Sequence, residues 1–145
     1  MADRPGHGAL AGIRVVEFAV FAAGPVVGKL MANHGAEVIR VESQASPDGF
    51  RTHYPPFPGN QPGLDRSGCF AVFNDGKLGV TLNLKTPEGL DLAKRLVARA
   101  DVVVENFTPG TIDRLGLGYE ALRAVRPNLV MLSSSNMGQI GRAHV

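Results

Sequence analysis

Apolar and polar positions along the chain fall into short β-branched runs separated by stretches of helical periodicity. Ile13 to Phe18 (IRVVEF) is the first run, followed by Ala22-Ala23-Gly24-Pro25 and a helical pattern over Val26 to His34. Pro25 at the first helical position and Gly35 as a left-handed cap would bound that helix. Glu37 to Val41 (EVIRV) predicts a second strand. Strand, helix and strand within about thirty residues is the size of a βαβ unit.

Ser43 to Gly68 breaks the rhythm, carrying Pro47, Pro55, Pro56, Pro58 and Pro62 among glycines, with no sustained period. Such a stretch predicts a long loop, of the kind that is often functional or mobile. Val80 to Leu84 (VTLNL) alternates like a half-buried strand, and Thr86-Pro87-Glu88 after it is a helix start, with Thr86 as N-cap and Pro87 at the first position. The helix that follows gathers Leu92, Ala93, Leu96, Val97 and Ala100 on one face, opposite Asp91, Lys94 and Arg95. Asp101 to Val104 (DVVV) reads as a strand buried on both faces. Helical turns around Thr108 to Leu115 and Tyr119 to Val125 precede a last strand at Leu129 to Leu132. Strand and helix alternate throughout, which predicts an α/β fold: an open, mainly parallel sheet with helices on both faces.

Composition removes several function classes. The 145 residues are 44% apolar and 19% charged, suited to one packed domain and not to disorder. With 15 Lys+Arg against 13 Asp+Glu and no basic run, the net charge of +2 forms no phosphate-tracking stripe, so nucleic acid is not expected as a partner. The charge-free stretch Phe18 to Gly28 falls short of the ~20 residues of a bilayer span, and Arg14 and Glu17 interrupt any signal-peptide core, so no membrane partner is expected. The single cysteine, Cys69, fits a reducing, cytoplasmic setting. His7, His34, His53 and His144 are scattered singly, so no metal is expected. The G-x-G-x-x-G fingerprint is absent, which argues against a dinucleotide-binding dehydrogenase.

Ligands of open α/β sheets bind at the carboxyl ends of the strands, and three segments fall there. In Phe21-Ala22-Ala23-Gly24-Pro25, small side chains let a ligand approach backbone N–H groups at a helix start. In Glu105-Asn106-Phe107-Thr108-Pro109-Gly110, Thr108 would cap a helix with Pro109 at its first position, Asn106 offers a donor and an acceptor, Phe107 a flat face, and Arg114 a cation nearly two turns on. Ser133-Ser134-Ser135-Asn136 offers hydroxyls without a nucleophile elbow or a histidine base. Glu37 and Glu42 lie near a strand, with solvated surface as the expected use.

These segments also carry a family resemblance. Residues 10 to 18 (LAGIRVVEF), Ala23-Gly24-Pro25, residues 35 to 42 (GAEVIRVE), residues 82 to 89 (LNLKTPEG), residues 100 to 110 (ADVVVENFTPG) and residues 115 to 119 (LGLGY) stand in the order of the N-terminal part of the class III coenzyme A transferases. The sequence thus resembles the CaiB/BaiF family, which includes formyl-CoA transferase, carnitine CoA-transferase and alpha-methylacyl-CoA racemase. The resemblance implies a Rossmann-like large domain beside a smaller one, two subunits threaded as an interlocked homodimer, and CoA lying along the strand ends. Carried over, Ala22 and Ala23 line the site after the first strand, Asn74 meets the nucleotide, Asn106, Phe107 and Thr108 flank adenine and phosphates, and Arg114 contacts phosphate. No permanently bound cofactor is implied; coenzyme A or acyl-CoA is a substrate, with a carboxylic acid as the other.

Two departures remove positive charge: Ser43 stands where many members have Arg or Lys, and Leu78-Gly79 replace a frequent Arg-Ser. Arg40, Arg51 and Lys77 are the cations left to compensate. In the transferases an aspartate attacks the acyl-CoA carbonyl, and a mixed anhydride gives way to an aspartyl-CoA thioester. That aspartate lies beyond residue 145, so no catalytic residue is expected in this stretch, and the stretch alone is expected to be inactive. The alternatives are a racemase of the same family, working by an acid/base pair, and a non-catalytic CoA- or nucleotide-binding module. Residues 1 to 139 are expected to be the N-terminal part of the CoA-binding large domain. Residues 140 to 145 read like an adapter translated in frame.

Overall fold

A computed structural model of the chain describes residues 7–135 and Gly138. The strands are β1 (Arg14–Phe18), β2 (Glu37–Glu42), β3 (Leu78–Thr81), β4 (Val102–Glu105) and β5 (Val130–Ser133). The helices are α1 (Ala23–Asn33), α2 (Gly49–Thr52), α3 (Gly68–Asn74), α4 (Pro87–Val97), α5 (Thr111–Arg114) and α6 (Tyr119–Val125). All strand pairs are parallel, and the order across the sheet is β3-β2-β1-β4-β5. The α/β class read from the alternation of elements is the fold observed.

β1 is central and buried on both faces, with Val16 and Phe18 on one and Val15 and Glu17 on the other. Val15 pairs with Val38 on one side and Val102 on the other, and Val15 and Val16 are fully buried. The two-residue period of the strands divides the core into two layers. Val16, Phe18 and Val103 pack against Ala93 and Val97 of α4, Ile112 of α5 and Leu122 of α6. Val15, Val38 and Val104 pack against Val27, Met31 and Ala32 on the α1 side.

Local signals set most of the boundaries. The Thr86 hydroxyl accepts from the Gly89 N–H at 3.1 Å, with Pro87 opening α4 as the sequence predicts. Gly35, at φ 100°, follows α1 in the left-handed conformation. α1 itself begins at Ala23, so Pro25 stands third in the helix, where its missing N–H is still one of the orphan donors. β3 runs Leu78–Thr81 instead of Val80 to Leu84, since its register follows β2, with Ile39 opposite Leu78 and Glu42 opposite Thr81. The stretch Ser43 to Gly68 is ordered locally: Asp48 caps α2 by accepting from Phe50, a 3-10 turn spans Pro58–Asn60, and Ser67 caps α3 by accepting from Phe70. No helix of the described residues is long and apolar enough to cross a membrane.

Candidate functional site

The strand order reverses between β1 and β4, since the chain leaves β1 toward β2 and β3 and later adds β4 and β5 on the opposite side. Such a reversal opens a crevice at the carboxyl ends of the two strands. Asn106, just beyond β4, spans it. Its Oδ1 accepts from the Val20 N–H and its Nδ2 donates to the Val20 carbonyl, both at 2.8 Å. Gly24 makes room for this bridge, because a Cβ there would stand 3.2 Å from the Asn106 side chain and 2.4 Å from Ala19 Cβ.

Ala22 precedes α1 as a cap with no side-chain bond, and Ala23 is exposed at the first helical turn. Before them, Phe21 sits at φ 59° and donates its N–H to Asp48 Oδ2 at 3.0 Å. On the β4 side Phe107 is half-buried against the α4–α6 core layer and donates its N–H to Glu105 Oε2 at 2.8 Å. Thr108 is not the helix cap that the sequence suggests. Its carbonyl accepts from Thr111 N–H at 3.0 Å, Gly110 has φ 76° and ψ −5°, and α5 starts only at Thr111. Pro109 followed by a left-handed Gly110 is the signature of a type II turn, which defers the helix by two residues. Arg114 is exposed and folds back, donating to Thr111 Oγ1 at 2.8 Å with its guanidinium beside Gly110. Ser133 ends β5, Ser134 and Ser135 follow it at the same end, and Asn136 lies outside the described residues.

Asn74 is drawn into a different structure, a buried charge cluster that sequence reasoning missed. Glu17 of β1 is fully buried, and Lys77 Nζ approaches its two oxygens at 3.0 and 2.8 Å. The same ammonium donates to the Pro25 carbonyl at 2.8 Å and to Asn74 Oδ1 at 3.0 Å. Burial pushes the Lys77 ammonium below its ordinary range, and Glu17 works against that push. Arg40 of β2 donates to Glu17 at 3.3 Å, to Asn74 at 2.6 Å and to Asp48, which is itself buried. Arg51 is held by Glu42 at 2.6 Å and Asp65 at 3.0 Å and lies 3.6 Å over the Phe70 ring.

Arg40 and Lys77 are therefore buried in ion pairs and do not offer the compensating charge expected of them. Glu42 is a half-buried partner of Arg40 and Arg51, not solvated surface, while Glu37 pairs with Arg14. The signal was present in the sequence. Charges at Glu17 and Arg40 inside runs that must be buried have to be paired. A cavity of about 510 Å³ opens beside this cluster, along Ser43, Arg51, Phe70, Asn74 and Leu78. A second, of about 540 Å³, lies between Glu105, Thr108, Ile112, Tyr119 and Ser133. Among the described residues no group of His, Cys, Asp and Glu could hold a metal ion.

Comparison with known proteins settles the lineage. The model of CoA-transferase family III matches residues 10–144. The chain belongs to that family. It is 43% identical over 133 residues to a succinate–glutarate CoA-transferase of Agrobacterium fabrum, covering 91% of this chain and 33% of that protein. It is also 43% identical over 129 residues to a succinyl-CoA–D-citramalate CoA-transferase of Chloroflexus aurantiacus, covering 89% of this chain and 31% of the relative. A CAIB/BAIF family protein from Brucella suis superposes with a TM-score of 0.79 at 43% identity, over 88% of this chain and 33% of that one. The chain thus spans about a third of the length of the curated relatives it matches.

Proposed function

We propose that the chain supplies a thioester-binding wall of a CoA-transferase, an enzyme that moves coenzyme A from one carboxylic acid to another. Its small-molecule partners are then an acyl-CoA and a free acid, and the whole protein is an interlocked homodimer of the cytoplasm. The observation that carries this reading is the Asn106 bridge across the β1–β4 crevice, which fixes the two strand-end loops relative to each other. Along that crevice Ala22 and Ala23 leave the backbone open to close approach, as a bulky thioester requires. Thr108 and Arg114 stand on the β4 side, where Arg114 pairs with phosphate and Phe107 walls the adenine. Asn74, with its amide engaged by Arg40 and Lys77, shapes the neighbouring cavity. The family's nucleophilic aspartate lies outside this stretch, so the residues here bind and orient.

Calorimetric titration of the 145-residue chain with coenzyme A tests the reading. Arg114 is exposed, so Arg114→Ala leaves the fold intact, and losing one charged phosphate contact weakens binding by about ten- to a hundredfold. A folded chain that gives no heat with coenzyme A, or an Arg114→Ala variant that binds unchanged, refutes it.

A further inference from the structure

The turn that joins β1 to α1 is held by side chains from three distant segments. Asn106, just beyond β4, takes both backbone groups of Val20 at 2.8 Å. Lys77 Nζ donates to the Pro25 carbonyl at 2.8 Å. Between these two anchors stands Phe21 at φ 59°, a genuine outlier for a bulky aromatic residue. Such outliers persist where the surrounding structure over-determines them, and they cluster where the backbone must be preorganised.

At Phe21 the third segment supplies Asp48, whose Oδ2 accepts the Phe21 N–H at 3.0 Å. Asp48 is anchored in its turn. It is buried, its Oδ1 accepts from the Phe50 N–H at 2.8 Å to cap α2, and its Oδ2 pairs with Arg40. Arg40 is held by Glu17 of β1 at 3.3 Å and by Asn74 of α3 at 2.6 Å. The carboxylate is therefore a rigid acceptor. With Val20 fixed on one side, a return of Phe21 to negative φ would swing the chain on the other side, at Ala22 and Ala23. Those are the two residues whose open backbone the thioester-binding reading uses.

We propose that Asp48 is a positioning residue for coenzyme A binding: it acts through Phe21, holding it at positive φ and so setting Ala22 and Ala23 where the thioester lies against them. This rests on the thioester-binding reading above. Without the acceptor, a phenylalanine takes positive φ only a small part of the time. Apparent affinity then falls with the fraction of chains in the competent conformation. Glycine takes either sign of φ about as readily, so Phe21→Gly makes the Asp48 bond dispensable. A role for Asp48 in stability alone, as the partner of Arg40, has no such dependence on position 21.

Titrating coenzyme A into the 145-residue chain and its variants tests this. Asp48→Ala is expected to weaken binding about tenfold in the otherwise unchanged chain, and by less than about twofold in the Phe21→Gly background. The same loss in both backgrounds, or no loss in either, overturns the proposal and leaves the thioester-binding reading standing. Phe21 is 44% exposed, so a second pair of variants with Asp48 intact keeps the fold. Phe21→Val, β-branched and poorly suited to positive φ, is expected to bind at least about threefold more weakly than Phe21→Asn, which tolerates it. Equal binding by these two overturns the proposal even where Asp48→Ala does not fold. A folded wild-type chain that gives no heat with coenzyme A overturns both the proposal and the reading.

Discussion

Lys77→Met should be among the most damaging single substitutions in this chain. Lys77 Nζ reaches both oxygens of a fully buried carboxylate, at 3.0 and 2.8 Å, and its side chain is 2% exposed. Removing it leaves Glu17 with only the 3.3 Å contact from Arg40, and also strips a donor from the Pro25 carbonyl and Asn74. Breaking one side of a buried pair costs about 3 to 5 kcal/mol, because the remaining charge stays buried. For a domain of this size that is a fall in Tm of roughly 6 to 20 °C. Urea unfolding followed by circular dichroism measures it.

The double variant Glu17→Gln with Lys77→Met removes the orphaned charge and should recover about half the loss or more. Because burial holds the folded-state Lys77 pKa below its ordinary value of 10.5, the unfolded chain binds that proton more tightly. Wild-type stability should therefore rise with pH through the folded pKa and level off near 10.5, and Lys77→Met should lack that rise. A single variant destabilised by less than about 1 kcal/mol, or a double variant no better than the single, would show that the pair is not what stabilises this region.

Four other outcomes follow from the geometry. Gly28→Ala, which in an ordinary helix gains about 1 kcal/mol, should instead destabilise, because the new Cβ would lie 1.9 Å from Glu17 Oε2; a raised Tm contradicts this. Asn106→Ala removes both bonds to Val20 and should lower stability by about 1 to 3 kcal/mol in urea melts, with amide exchange at Val20 accelerated. Thr86→Ala loses the α4 cap at about 1 kcal/mol, and Thr86→Ser should restore most of it. The backbone N–H of Arg14, with help from Arg126, holds the Asp101 carboxyl below its ordinary value of 3.8. Its contribution is present above that value and lost as pH falls through the folded pKa, so Asp101→Asn should flatten acid unfolding there.

The central strands were legible because burial on both faces leaves a nearly continuous apolar record: VVEF, interrupted only by Glu17, and the VVV after Asp101 announce β1 and β4. β3 was displaced by two residues because an edge strand takes its register from its neighbour, and Leu78 and Val80 carry a weaker pattern. α3 had no such record. Its only start signal was Ser67, and Phe70, Val72 and Phe73 favour strands as isolated residues. The small residues after β1 and the Asn-Phe-Thr-Pro-Gly turn after β4 do stand at the carboxyl ends of those strands, as the alternation of elements predicts. What could not be read was Asp48. It lies in a proline-rich stretch without periodicity, and its importance comes only from Phe21 and Arg40, which the fold brings to it from 27 and 8 residues away.

The buried cluster also constrains the order in which the chain can fold. β1, α1 and β2 form a contiguous unit that would collapse first on local contacts alone. Yet that unit contains Glu17, whose closest cation arrives on Lys77, 60 residues further along. Until α3 and β3 have docked, closing the core around β1 leaves that carboxylate with the 3.3 Å contact of Arg40 as its one charged partner. Early compact states are thereby penalised, and the sheet gains its stability only when the β3 side is in place.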